Sequence, residues 1–208
     1  MTNPPEQLAD ELITTNKTKH TSGNPLMRYA IGNLHSTVRE LLPADAKDIL
    51  EVGVGEGFST YDVLHDRPQV RSFGGDLNPD SVHEAVRRFT PMRYSAFNAK
   101  QLPFPTNSMD AIYSLEVLEH IPGPEEAVRE YMRVAREYLL VSVPNEPMFR
   151  IQRMLSGKGL TMLGDHPEHV NHWSLGGMQR FLTAQGLQVV KAVSPPPFAW
   201  SVILCRID

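Results

Sequence analysis

Apolar positions along the chain alternate between two periods. Residues 25–42, "PLMRYAIGNLHSTVRELL", place Leu26, Tyr29, Ala30, Leu34, Val38, Leu41 and Leu42 at helical spacing, and Pro43 ends the pattern. The next run, "DILEVG" from Asp48, is short, apolar and β-branched, as a buried strand requires. It leads into a glycine turn and a helix reaching about Leu64. The alternation then repeats. Strands are expected over 70–77, 93–99, 109–117 and 137–145, and helices over 78–89, 124–135 and 174–186. Asn78 and Ser174 are the expected N-caps, Pro79 stands at a first helical position, and Gly186 closes the last helix. Two final runs, "LQVVKAVS" and "SVILCRI", are joined across "PPPFAW" with no helix between them.

Strand and helix in regular alternation predict an α/β fold with a mostly parallel, seven-stranded sheet and helices on both faces. The last two strands, lacking a crossover, are expected to pair antiparallel. Residues 145–173 fit no unit of this pattern. A connection that long in a compact domain usually serves a ligand, so it is expected to be a substrate lid. Its start, "PNEPMFRIQRML", is amphipathic.

The 208 residues, 41% of them hydrophobic, suit one domain, with residues 1–24 as an N-terminal extension. The single cysteine, Cys205, excludes an intramolecular disulfide framework. No apolar run is long enough to span a membrane. The polar start "MTNPPEQLADELITTNKTKH" lacks the apolar centre of a signal peptide, so a cytoplasmic protein is expected. A net charge of −4 speaks against a nucleic-acid partner. Nothing in the sequence sets the oligomeric state.

The glycine turn is the first candidate site. In an open α/β sheet, ligands bind beyond the carboxyl ends of the strands. Gly53, Gly55 and Gly57 allow the backbone to approach a ligand there. A phosphate-binding loop is excluded, because no Gly-Lys-Ser/Thr follows. A dinucleotide fingerprint needs a third glycine where this chain has Phe58. Glu51 and Glu56 flank the turn and disfavour a pyrophosphate. A cationic, phosphate-free ligand suits it better.

"LEVGVGEG" resembles motif I of the class I S-adenosylmethionine-dependent methyltransferases, and "FNAKQLPFPTNSMDAIYSLEVLEHI" resembles a later segment of the same family. The resemblance implies S-adenosyl-L-methionine as the cofactor. It implies Glu51, Gly53, Gly55, Gly57, Asp76, Leu77, Asn98, Ala99 and Glu116 as cofactor-binding residues. Asp76 would accept hydrogen bonds from the ribose hydroxyls, since a carboxylate offers only acceptors. Leu77 would pack on the adenine, and Asn98, standing where the family usually has Asp, would face its amino group. "NPLMRY" resembles an entry segment over the cofactor, with Arg28 a candidate for the methionine carboxylate.

"EVLEHI" supplies a second constellation: Glu116, Glu119 and His120 at i, i+3 and i+4, on one face if the segment is a helical turn. Two readings stand. In one, Glu116 contacts cofactor or substrate, and His120 is a general base oriented by Glu119. In the other, Glu116, Glu119, His120 and a downstream His bind a divalent metal. The Glu-x-x-Glu-His string resembles that of small-RNA terminal 2′-O-methyltransferases, where it binds a cation, and also that of ubiquinone-pathway O-methyltransferases. In "GDHPEHVNHWS" the pair Glu168–His169 with Trp173 matches the RNA enzymes' spacing, so His169 is the expected fourth ligand and a catalytic candidate; His166 and His172 lie nearby. Simple lid building is the third reading of that loop. The expected activity is O-methylation of a small acceptor. Methylation of an RNA 3′ end and non-catalytic cofactor binding are the alternatives.

Overall fold

The computed structural model describes residues 24–88, 92–155 and 169–207. Residues 1–23 of the expected N-terminal extension, and His166 and Glu168 of the downstream loop, lie outside the described residues. The elements are α1 (Pro25–Leu41), β1 (Asp48–Val52), α2 (Phe58–Leu64), β2 (Arg71–Asp76), α3 (Pro79–Arg88), β3 (Arg93–Ala96), β4 (Met109–Leu115), a 3₁₀ turn (Leu118–His120), α4 (Pro124–Val134), β5 (Ala135–Pro144), α5 (Met148–Leu155), α6 (Leu175–Ala184), β6 (Gln188–Val193) and β7 (Trp200–Arg206).

Seven strands form one sheet in the order β3-β2-β1-β4-β5-β7-β6. The five strands from β3 to β5 are parallel, and β7 runs antiparallel to both β5 and β6. The sequence predicts this arrangement, and the physical reason is the connectivity: helical crossovers return the chain in the same direction, while the helix-free link before β7 reverses it. The central strands β1, β4, β5 and β7 are almost wholly buried, and the edge strands β3 and β6 are not.

One core lies on each face of the sheet. Ala30, Leu34 and Val38 of α1 pack with Ile49, Val63, Tyr113 and Leu140 on one side. Val128, Tyr131, Met178 and Leu182 of α4 and α6 pack with Leu50, Ile112 and Leu139 on the other. Fully burying side chains of this size is worth about 1.5–3 kcal/mol each.

The two predicted caps form: Asn78 Oδ1 accepts from the Asp80 N–H at 2.9 Å and Ser174 Oγ from Gly177 at 3.2 Å; Asn24, not foreseen, caps α1 with its Oδ1 accepting from the Leu26 N–H at 3.0 Å. β3 and β4 end two or more residues earlier than expected, each because its backbone leaves the ladder. After Ala96, Phe97 N–H still bonds the Asp76 carbonyl, but Asn98 then closes a turn onto Lys100. After Leu115, Glu116 takes φ +59. The 145–173 connection carries α5, a helix that periodicity alone does not separate from a lid. Among the described residues no helix is long and apolar enough to cross a membrane.

Candidate functional site

The carboxyl ends of β1 and β4, neighbours in the sheet, carry the two candidate constellations. Gly53, Gly55 and Gly57 all have positive φ, at 85, 50 and 79°. At Gly53 a side chain is also excluded by space, since an added Cβ would sit 2.1 Å from Val117 Cγ2. The turn is pinned to β2 by the Gly53 and Val54 N–H groups, which donate to the Gly75 carbonyl at 2.8 and 3.1 Å. Asp76, at the end of β2, braces it from the other side. Its Oδ2 accepts from Gly55 N–H and its Oδ1 from Asn78 N–H, both at 2.9 Å. Each carboxylate oxygen keeps a further lone pair, so the ribose role remains chemically open to it.

Two residues of the expected cofactor set do other work. Glu51 is sealed from solvent, at 0% exposure. Its carboxylate accepts from Ser59 Oγ at 2.6 Å, from Tyr113 Oη at 2.8 Å and from Thr60 Oγ1. It therefore anchors α2 to β1 and β4 beneath the turn and presents no oxygen to a ligand above it. Burial holds its carboxyl above the ordinary range, against the lowering effect of the three hydroxyls. The Tyr113 phenol is pushed up as well, by burial first and by the Glu51 charge second. Asn98 is exposed, and its Oδ1 accepts from Lys100 N–H at 2.9 Å, which makes it a turn-former. Ala99 is half-buried behind it. Leu77 stands 74% exposed beside Asp76, an apolar side chain left open where the resemblance places an adenine ring. Arg28 is exposed on α1.

A cleft of about 80 Å³ opens beside the turn, lined by Leu34, His35, Gly53, Phe58, Glu116 and Trp200. His35 is buried against Asp62, with Nδ1 2.8 Å from Oδ2. Sequence reasoning missed it; its signal is an imidazole on the apolar face of α1, next to Leu34. Trp200 lines this cleft too, its indole donating to Glu116 Oε2 at 2.6 Å. A larger open depression of about 580 Å³ on α6, around Gln179, Arg180 and Val189, is lined by no acid or imidazole.

The Glu116–Glu119–His120 string does not form one helical face. The helical turn begins only at Leu118, and the positive φ of Glu116 sends its carboxylate to Trp200 and the cofactor cleft. Glu116 is thus separated from the expected metal set and stays with the expected cofactor set. Glu119 and His120 remain together: Glu119 is 1% exposed and its Oε1 lies 4.0 Å from His120 Nε2. His169 joins them from the far end of the chain. Its ring meets that of His120 edge-on, with centroids 5.1 Å apart, and stacks obliquely on Phe149 at 5.4 Å. The backbone holds this encounter in place. The Glu119 carbonyl accepts from Val170 and Asn171 N–H at 2.9 and 3.1 Å, and the Asn171 amide donates to the Leu118 and Ile121 carbonyls at 3.1 and 2.8 Å.

Glu146 was missed. It stands just after β5, and His172 reaches it, Nδ1 to Oε1 at 3.9 Å. Glu119–His120–His169 and Glu146–His169–His172 each bring their ligand atoms within 4.8 Å of one another. His169 is common to both.

The chain is similar to known proteins in sequence and in fold. A family described as methyltransferase domain matches residues 50–138. A fatty-acid O-methyltransferase of Mycolicibacterium smegmatis is 30% identical over 183 residues, covering 84% of this chain and 65% of that protein. A "probable S-adenosylmethionine-dependent methyltransferase" of Mycobacterium tuberculosis is 32% identical over 106 residues, covering 50% of this chain and 38% of its own. The chain thus matches between 38% and 65% of the length of these curated relatives. In fold it resembles magnesium protoporphyrin IX methyltransferase of Synechocystis PCC 6803 with bound SAH. The TM-score is 0.75 at 14% identity, covering 98% of this chain and 100% of that one. Sheet order, glycine turn and these likenesses converge: residues 50–138 match the methyltransferase-domain family, and the fold is that of the Rossmann-like methyltransferases.

Proposed function

We propose that the protein transfers the methyl group of S-adenosylmethionine to a hydroxyl oxygen of a small acceptor with an apolar body. The observation that carries this reading is the adjacency of the glycine-turn cleft and the Glu119–His120–His169 cluster at the ends of neighbouring strands β1 and β4. The sulfonium is already a strong electrophile, so positioning supplies most of the catalysis. The oxygen–methyl bond forms as the sulfur–methyl bond breaks, and the hydroxyl proton passes to the His120 imidazole, whose positive charge the Glu119 carboxylate, 4.0 Å from Nε2, stabilises. Asp76 holds the ribose, and Glu116 with Trp200 closes the cleft beside the reacting end.

The fatty-acid O-methyltransferase relative supports an oxygen acceptor with an apolar body. So does α5, whose Met148, Ile151 and Met154 are exposed beside the cluster's Phe149. The net charge of −4 is against RNA. Incubating the protein with labelled S-adenosylmethionine and a panel of phenols, long-chain alcohols and acids, and an RNA oligonucleotide tests the reading. Label in the phenols or alcohols is expected. Label in the RNA alone, or cofactor binding with no transfer to any acceptor, overturns it.

A further inference from the structure

We propose that Glu146, His169 and His172 form a binding site for one divalent transition-metal ion, next to the Glu119–His120 pair and distinct from it. Three observations converge. The first is the donor set: two imidazoles and one carboxylate bring their ligand atoms within 4.8 Å of one another. Such an N,N,O set selects zinc, manganese, iron or cobalt over magnesium or calcium, which take oxygen ligands.

The second is spacing. Glu146 Oε1 and His172 Nδ1 lie 3.9 Å apart, too long for a hydrogen bond. Two ligands of one ion, each bound at about 2.0–2.2 Å, stand roughly 3–4 Å apart. The carboxylate is oriented for this. Its Oε2 faces Arg150 Nε at 3.6 Å, while Oε1 faces His172.

The third is the frame. Glu146 N–H donates to the Trp173 carbonyl at 2.9 Å, and Asn145 pairs with Trp173 in a parallel bridge. Asn145 is held in turn, its Oδ1 accepting from Leu175 N–H at 3.2 Å and its amide donating to Ser194 Oγ at 3.1 Å. The backbones that carry Glu146 and His172 are therefore locked side by side, and Phe149 covers one side of His169. Preorganised ligands with an apolar flank are what a tight site needs.

Glu146–His169–His172 is favoured over Glu119–His120–His169 by access. The carboxylate side chains are 11% exposed at Glu146 against 1% at Glu119, and the distal imidazoles 34% at His172 against 29% at His120, so both ends of the Glu146 set are the more open to a hydrated ion. Three protein ligands leave positions open for an acceptor oxygen, whose proton the metal would make easier to remove. That role rests on the methyl-transfer reading; the site itself does not.

The test is titration of the metal-stripped full chain with Zn²⁺ by calorimetry and with Co²⁺ by visible absorption. One ion per chain is expected, with cobalt bands of an N,N,O environment. E146Q and H172N should each weaken binding by more than about 100-fold, beyond the 10–100-fold typical of an outer-shell loss, while E119Q leaves it in place. A wild-type chain that binds neither ion overturns the proposal. So does binding that survives E146Q and H172N but is lost in E119Q. Binding of the demethylated cofactor, measured on the same samples, reports on the methyl-transfer reading separately.

Discussion

The glycine turn is complete within one strand–turn–helix–strand stretch, from Glu51 to Asp76, whereas the imidazole cluster gathers residues 119–120, 146 and 169–172. The first is a backbone device. Its shape comes from positive φ angles and from N–H groups donating to Gly75 and Asp76. The second is a side-chain device, and its parts are brought together where Val170 and Asn171 bond to the Glu119 turn and Glu146 bonds to Trp173. A site made of backbone tolerates almost no change at its glycines, while a site made of side chains changes chemistry residue by residue.

Four variants would break or sharpen that contrast. His120→Ala should have the largest effect on chemistry, lowering kcat by about 10²–10⁴-fold, the usual worth of a general base. Cofactor affinity, measured by calorimetry, should stay as it is. A parallel loss of cofactor binding would mean that the two devices are not separable.

Gly53→Ala should act on the fold. The new Cβ meets Val117 at 2.1 Å and sits at φ +85, which together should cost about 2–4 kcal/mol in chemical denaturation. A stability equal to wild type would show that the turn rearranges without loss. Asp76→Ala should come next, weakening S-adenosylmethionine by about tenfold or more, since one hydrogen bond to a charged group is worth about 1.5–3 kcal/mol. Unchanged affinity would remove the ribose role and leave only the brace on Gly55.

The smallest effect is on pH dependence. Burial raises the Glu51 carboxyl above its ordinary value of 4.5, so the native state holds that proton more tightly than the unfolded chain does. Stability from this group is full below that value and is lost as pH rises through the raised folded value. Glu51→Gln should flatten this fall in melting curves taken from acid to neutral pH. An unchanged slope would show that the three hydroxyls offset the desolvation completely.

Most of the fold was legible because its elements are written in local patterns. Asn78 and Ser174 announce helix starts, and "DILEV" can only be a buried strand next to a glycine turn. Even the reversal at β7 follows from a missing helix. The candidate site was legible in part. The association of His169 with Glu119 and His120 was expected from the resemblance to the small-RNA methyltransferases, and the structure brings the three together. Glu116 was misassigned to that group because helical periodicity was assumed across a residue that adopts φ +59. Glu51 was read as a ligand contact because an acid beside a glycine turn looks identical whether it points up at a cofactor or down at Ser59, Thr60 and Tyr113. His35 and Glu146 carried too little local signal, one inside a helix and the other in a proline-flanked loop.

By itself, then, the sequence determined the order of strands and helices, the conformation of the glycine turn and the resemblance to methyltransferases. Each depends on residues close together in the chain, where φ preferences, capping and apolar period act directly. The tertiary structure alone decided which carboxylates face the cleft and which are buried beneath it. It also placed Glu146 and His172 around His169. Those outcomes hang on side-chain direction and on contacts between segments far apart in sequence, which no local pattern encodes.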